Sequence, residues 1–297
     1  MDNLTHSLVG ALIGQAGLKR RTGLAMPALI VGANIPDIDA ACFFWLDGTQ
    51  HLAFRRGITH GPIAWVLLPL LLAGLLYGFD RWQAKRGKRP KGRLPVSFGW
   101  LYALSLLATL THPALDWLNV YGIRLLEPFS SRWFYGDTLF IIDVWLWLLL
   151  GISTWLSLRR ERRGGEWRKP AVVALAMAVL YIAINKAISF AMATTAPAAF
   201  ASPLPIISWQ REVIARENAN QWRVDGTLLG QCDLSDALAA ARPNPDLDAF
   251  LFWSRAPFAE AAPDGSVLIR DARFTDSRAR DRFTVALPEV RCEEHMP

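Results

Sequence analysis

After Lys186 the chain contains no lysine, and between His112 and His295 it contains no histidine. The missing imidazoles exclude histidine-based acid–base or metal chemistry from the body of the last third, which leaves recognition, gating or docking as its expected role. Cysteine is nearly as scarce. There are three in 297 residues and none sits in a CxxC pattern, so a thiolate zinc ribbon and a dense disulfide framework are both excluded. Cys42 lies in apolar sequence, whereas Cys232 and Cys292 would pair in an oxidising compartment. A signal peptide's basic start is missing too: Asp2 opens the apolar run Leu4 to Leu18, and Lys19, Arg20 and Arg21 follow it. No cleavage is expected.

What is present is apolar. Hydrophobic residues make up 52% of the chain, there are 13 tryptophans, and mean hydropathy is +0.21. Stretches close to the ~20 residues needed to cross a bilayer run from Leu24 to Trp45, Pro62 to Phe79, Phe98 to Leu115, Leu139 to Leu158 and Pro170 to Thr194. These predict an all-α multi-pass membrane domain, residues 1–195, with about five spans plus a short or re-entrant N-terminal helix. Basic clusters at Arg81 to Arg93 and Arg159 to Lys169 belong on the cytoplasmic side. Alternation then places the Lys19 to Arg21 loop inside and puts the loops at 47–61 and 116–137, with everything after Thr194, outside. The charge is partitioned in the same way. Residues 1–196 hold 21 Lys and Arg against 11 Asp and Glu, and the tail holds 11 against 15. A pI near 9.5 is therefore explained by inner loops, and no nucleic-acid partner is expected.

A proline-rich linker at Ala196 to Pro205 marks a boundary. Beyond it, residues 196–297 predict a small α+β extracytoplasmic domain, with short antiparallel strands at Trp222 to Leu229, Ala249 to Arg255, Ser266 to Phe274 and Arg282 to Leu287. One helix is expected at Leu234 to Ala241, between Asp233 and Pro243.

Three of the five histidines sit in polar motifs inside or beside the apolar segments. His112 and Asp116 are four apart and share a helix face, with Pro113 between them predicting a helix start or kink. Asn34-Ile35-Pro36-Asp37-Ile38-Asp39 interrupts the first long span. Each intramembrane aspartate costs on the order of 2.5–3.5 kcal/mol on insertion scales, which a shared cation would remove. Thr5-His6 and Thr59-His60 repeat one dipeptide, and the orientation set by lysine and arginine brings all these groups to one depth, the outer face. His6, Asp37, Asp39, His60, His112 and Asp116 are accordingly the candidate ligands of a divalent metal, zinc foremost and manganese the alternative. Thr5 and Thr59 would be supporting donors. Arg56, with Arg124 and Arg132, would stabilise developing negative charge. Asp143 is a further catalytic candidate because it is intramembrane, although a structural pair with Lys186 would also account for it. His51 stays outside the expected site.

Read in order, Met1-Asp2-Asn3-Leu4-Thr5-His6-Ser7, Pro36-Asp37-Ile38-Asp39, Arg56-Gly57-Ile58-Thr59-His60, His112-Pro113-Ala114-Leu115-Asp116, Tyr121-Gly122, Glu127-Pro128-Phe129-Ser130 and Ile141-Ile142-Asp143 resemble the LexA-regulated, membrane-bound metal-dependent hydrolases of the YdjM type. The likeness covers about the first 150 residues. One departure is Arg55, where many relatives carry histidine. The resemblance implies a bacterial inner-membrane protein with metal-dependent hydrolase activity.

The expected function is therefore hydrolysis, at the periplasmic face, of an ester or phosphoester in an amphiphilic, lipid-like substrate. Membrane lipids are the expected surroundings, and the oligomeric state is left open. A metal or proton transporter would use the same residues as stations along a pathway, and a non-catalytic scaffold would use them to hold a metal for folding alone.

Overall fold

The computed structural model describes residues 1–196, 199–275 and 280–292. His295 lies outside them. The chain divides into two compact units, one made of Met1–Asp39 and Arg56–Asn185, the other of Ala40–Arg55 and Lys186 onward. The second unit thus takes in a sixteen-residue excursion from the N-terminal half as well as the tail.

In the first unit α1 (Asn3–Gln15) starts on Asp2, whose carboxylate accepts from the backbone N–H of Leu4 and Thr5. Thirteen residues rise about 20 Å, short of the ~30 Å hydrocarbon core. After α2 (Ala25–Gly32) the chain bends by 52° into a 3-10 stretch, Ile35–Phe44, at the Asn34 and Pro36 break. The tiny helix α3 (His51–Phe54) belongs to the second unit. Then come α4 (Pro62–Lys85), α5 (Phe98–Trp117), α6 (Val144–Arg162) and α7 (Arg168–Ala193). Pro113 lies within α5, which runs on to Trp117.

Among the described residues, two helices, α4 and α7, are long and apolar enough to cross a membrane, and a third span results if α2 and Ile35–Phe44 count as one broken crossing. The expected five spans reduce to two or three by that standard. The physical reason is visible in the two helices that drop out. α5 carries His112 and Asp116, and α6 ends in Arg159, Arg160, Glu161 and Arg162.

Small residues set the packing. Ala25, Ala28 and Ala33 around α2 meet Leu101, Leu104 and Ala108 of α5 and Ala73 of α4, while Leu12 of α1 packs with Leu146 and Leu150 of α6 and Ala171 and Ala174 of α7. Without a hydrophobic drive between helices in lipid, such small side chains allow the close backbone approach that holds them together. At Gly10 a Cβ would come within 2.5 Å of the Leu29 carbonyl oxygen, so α1 and α2 touch backbone to backbone.

The second unit contains an antiparallel four-stranded sheet, β1 (Phe200–Pro203), β2 (Arg211–Arg216), β3 (Trp222–Val224) and β4 (Thr227–Leu229), in sequence order. Asp225 and Gly226, both with positive φ, form the β3–β4 turn. Next are α8 (Leu234–Ala240), capped by Asp233 as expected, and α9 (Pro245–Trp253). A second antiparallel sheet follows, β5 (Pro257–Ala261), β6 (Ser266–Asp271) and β7 (Thr284–Arg291). The strand expected at Ala249 to Arg255 is instead the C-terminal half of α9. Asn244 accepts from the N–H of Asp246 and Leu247, and Pro245 takes the first helical position, a start signal that outweighs the aromatic run behind it. Cys232 and Cys292 form a disulfide. Thr49 of the excursion is held by α9: its N–H donates to Asp246 Oδ1 at 2.7 Å and its hydroxyl to the Asp246 carbonyl at 2.8 Å.

Candidate metal centre

Four segments of the first unit deliver the polar residues. α1 supplies His6, the bend after α2 supplies Asp37 and Asp39, the turn Ile58–His60 supplies His60, and α5 supplies His112 and Asp116 one turn apart. All six are buried. The chain can bring the His60 turn this close because position 61 is glycine, where any Cβ would sit 1.9 Å from the Glu127 carbonyl oxygen.

Hydrogen bonding fixes the imidazole tautomers. His112 Nδ1 lies 2.7 Å from the Ala33 carbonyl oxygen, which can only accept, so Nδ1 carries the proton and Nε2 is a bare lone pair. Thr59 gives its hydroxyl proton to Asp39 Oδ2 at 3.2 Å, leaving its oxygen to accept from His60 Nδ1 at 2.9 Å. His60 Nε2 is then also a bare lone pair. The two Nε2 atoms face each other at 3.1 Å. Around them stand Asp116 Oδ2, 3.5 and 3.6 Å from His60 and His112, and Asp37 Oδ1, 3.9 and 3.8 Å from the same atoms. These groups crowd one buried volume, an arrangement that positive charge stabilises.

These separations fit a metal. Around an ion with bonds of 2.0–2.1 Å the edges of a tetrahedron are roughly 3.3–3.4 Å, close to the 3.1, 3.5 and 3.6 Å that separate His60, His112 and Asp116. A shared proton would satisfy one pair of acceptors, whereas a divalent cation would draw on three at once. His6 stands beside them: its ring stacks on His112 with centroids 3.8 Å apart, its Nε2 is 3.4 Å from Asp116 Oδ1, and both its ring nitrogens are buried without a hydrogen-bond partner. Among the described residues, two three-residue groups have the reach of a metal site, His6 with Asp37 and His112, and His60 with His112 and Asp116. They share His112, whose single inward nitrogen serves one ion at a time.

Asp39 falls outside both groups. Its Oδ2 accepts from the backbone N–H of Arg56 at 2.7 Å and lies 3.5 Å from His60 Nδ1, so it stands behind the histidine and orients it. Arg56 turns toward Asp116 with two contacts, Nε to Oδ2 at 3.0 Å and Nη2 to Oδ1 at 3.2 Å, and also donates to Asn119 Oδ1 and the Gly122 carbonyl. The Met1 nitrogen donates to the same carboxylate. Arg56 thus pins Asp116 to the loop at 119–122. Asn119 is a participant that the sequence did not single out; its signal is only its place one turn beyond Asp116.

The remaining candidates lie elsewhere. Asp143 caps α6, accepting from the N–H of Trp145 and Leu146, and takes the Tyr181 hydroxyl at 2.8 Å. These bonds give it the work of a helix cap. Thr5 is bonded to Asp2 and to the Trp147 indole. Arg124 stacks over Trp133 and faces Glu127 at 3.5 Å; burial lowers its pKa, with Glu127 opposing the shift. Arg132 is exposed over the Phe134 ring. His51 belongs to the second unit, where its Nδ1 is 2.9 Å from the Gly48 carbonyl, and burial lowers its pKa against that contact.

The family model of the YdjM inner membrane proteins matches residues 1–192, which include every residue of the cluster. The chain is also similar to the uncharacterized protein YfhP of Bacillus subtilis (strain 168), with 27% identity over 167 residues, 53% of this chain. That match spans 47% of the relative's own length. No solved structure matches. With the family model covering well over half of its length, the chain belongs to the YdjM inner membrane protein family.

Proposed function

We propose that this inner-membrane protein is a divalent-metal hydrolase acting at the periplasmic face on an ester or phosphoester of an amphiphilic, lipid-like substrate. The observation that carries the metal reading is the pair of Nε2 atoms 3.1 Å apart beside two carboxylates, with each ring's Nδ1 engaged elsewhere. His60, His112 and Asp116 would hold the ion, zinc foremost and manganese the alternative, and His6, Asp37 and His112 are the other group with the reach of a site. Bound there, a divalent ion polarises an ester or phosphoryl oxygen and lowers the pKa of water toward neutrality.

The chain's own residues prepare that chemistry. The Ala33 carbonyl and the Thr59–Asp39 pair lock the two imidazoles with their lone pairs inward. Arg56 holds Asp116 in a fixed orientation. The disulfide between Cys232 and Cys292 supports a tail in an oxidising compartment, hence outside the cytoplasm.

The near-complete burial of all six side chains favours a second reading, an ion that ties the segments together without catalysis. Closed coordination is the habit of structural sites. Elemental analysis of the detergent-purified chain, followed by assay on phosphoester and phospholipid substrates, separates the two. One or two equivalents of metal lost in His112→Ala, with metal-dependent turnover, supports the hydrolase. Metal without turnover, together with a large fall in thermal midpoint on chelation, supports the structural role. Metal-free protein after zinc or manganese reconstitution rules out both.

A further inference from the structure

The arginine-rich end of α6 is not used by the metal centre. Trp155, Leu158, Arg159, Arg162 and Arg163 line a depression of about 290 Å³ there. Their spacing of three, four, seven and eight residues from Trp155 puts all five on one face of the helix. Upstream at one-turn intervals on that face, Leu148 and Ile152 are each about half exposed, as is Trp155. An apolar ridge therefore runs along α6 into a cluster of guanidinium groups.

Those charges are uncompensated. Glu161, the acid in the same turn, points the other way and pairs with Lys19. Arg159 lies over the Trp155 ring at 5.1 Å. No carboxylate pairs with Arg159, Arg162 or Arg163 among the described residues. Charge clustering at the cytoplasmic ends of spans requires arginines near this turn but not their convergence on one face below an apolar ridge. Arg160, which would serve that rule equally well, points off the face.

We infer that this depression binds an anionic phospholipid, with the phosphate among Arg159, Arg162 and Arg163 and the acyl chains along Leu148, Ile152 and Trp155. Guanidinium groups suit phosphate oxygens through paired N–H donors. The depression has the scale of a headgroup, and the ridge supplies what a soluble anion would leave uncovered. This inference is independent of the metal reading, since none of its residues touches the cluster.

Native mass spectrometry of the full chain in mild detergent tests it, with phosphatidylglycerol, phosphatidylcholine of the same chains, and inorganic phosphate as separate probes. Wild type is expected to retain one phosphatidylglycerol in preference to phosphatidylcholine and to ignore phosphate at the same concentration. Each arginine lost should weaken binding about fivefold, the worth of one basic residue near an anionic surface, so Arg162→Gln/Arg163→Gln should lose roughly 25-fold. Because those charges also influence insertion, Trp155→Ala/Leu158→Asn leaves every charge in place and should still weaken phosphatidylglycerol, through the acyl-chain contacts it removes. Equal retention of both lipids, or affinities unchanged in both variants, overturns the site. Binding of phosphate as strong as that of lipid leaves an anion site and removes the lipid.

Discussion

Asp39 and Asp116 are chemically the same side chain in the same burial, yet they do different work. Asp116 faces two imidazole nitrogens and is held by Arg56; Asp39 faces the backbone of Arg56 and the protonated side of His60. Supporting carboxylates behind a metal-bound histidine are worth about 10–100-fold in metal affinity, whereas loss of a ligand removes binding. Asp39→Asn should therefore weaken zinc binding by about 10–100-fold while leaving the stoichiometry intact at saturating metal, and Asp116→Asn should lower the stoichiometry itself. A competition titration against a chelator measures both. Equal effects from the two substitutions would count against the separation of roles. The sequence located these residues, because apolar surroundings make each buried aspartate conspicuous, but ranked Asp39 with the ligands. Which oxygen faces an ion and which faces a backbone N–H depends on a contact with Arg56, seventeen positions away, and no local pattern encodes it. For Asp143 likewise, the apolar surroundings were legible and the bond to the Tyr181 hydroxyl was not.

At the level of elements, hydropathy identified where helices lie better than which of them cross a bilayer, since α5 and α6 occupy their expected places but carry site residues and terminal charges that dilute their apolar character. In the tail, β1, β2 and β5 were not anticipated. Strands of four to six residues without clean alternation give little signal. The substitution of helix for strand at α9 has a local cause that can be tested. If Asn244 starts the helix, Asn244→Ala should destabilise the tail by about 1 kcal/mol, read as a lower midpoint in chemical denaturation of the full chain followed by far-ultraviolet circular dichroism. Asn244→Asp, which keeps an acceptor, should restore most of it. A neutral alanine variant would mean that packing of Phe250 and Trp253, both fully buried, sets this helix without its cap.

For the whole molecule, the least legible feature is that Ala40–Arg55 clusters with the tail instead of the helices on either side of it. Thr49 and Asp246 meet across 197 positions, a pairing of two ordinary polar residues with no signature in either segment. Orientation was read from lysine and arginine alone, and the disulfide offers an independent check on it. Cytoplasmic thiols are kept reduced, so a tail facing inward would leave Cys232 and Cys292 free, whereas an outward tail joins them. Intact cells treated with a membrane-permeant alkylating reagent, then denatured, reduced and labelled with a second reagent, should yield protein carrying the second label at Cys232 and Cys292. The first label at both positions would place the tail on the reducing side and reverse every loop assignment, including the face at which the metal centre opens. The link also has a stability consequence: opening a sixty-residue separation typically costs 2–5 kcal/mol. Cys232→Ala/Cys292→Ala should therefore unfold the tail at lower temperature while metal content, set by residues of the first unit, stays unchanged. Loss of metal in that variant would show that the tail, through the excursion it holds between Asp39 and Arg56, supports the centre as well.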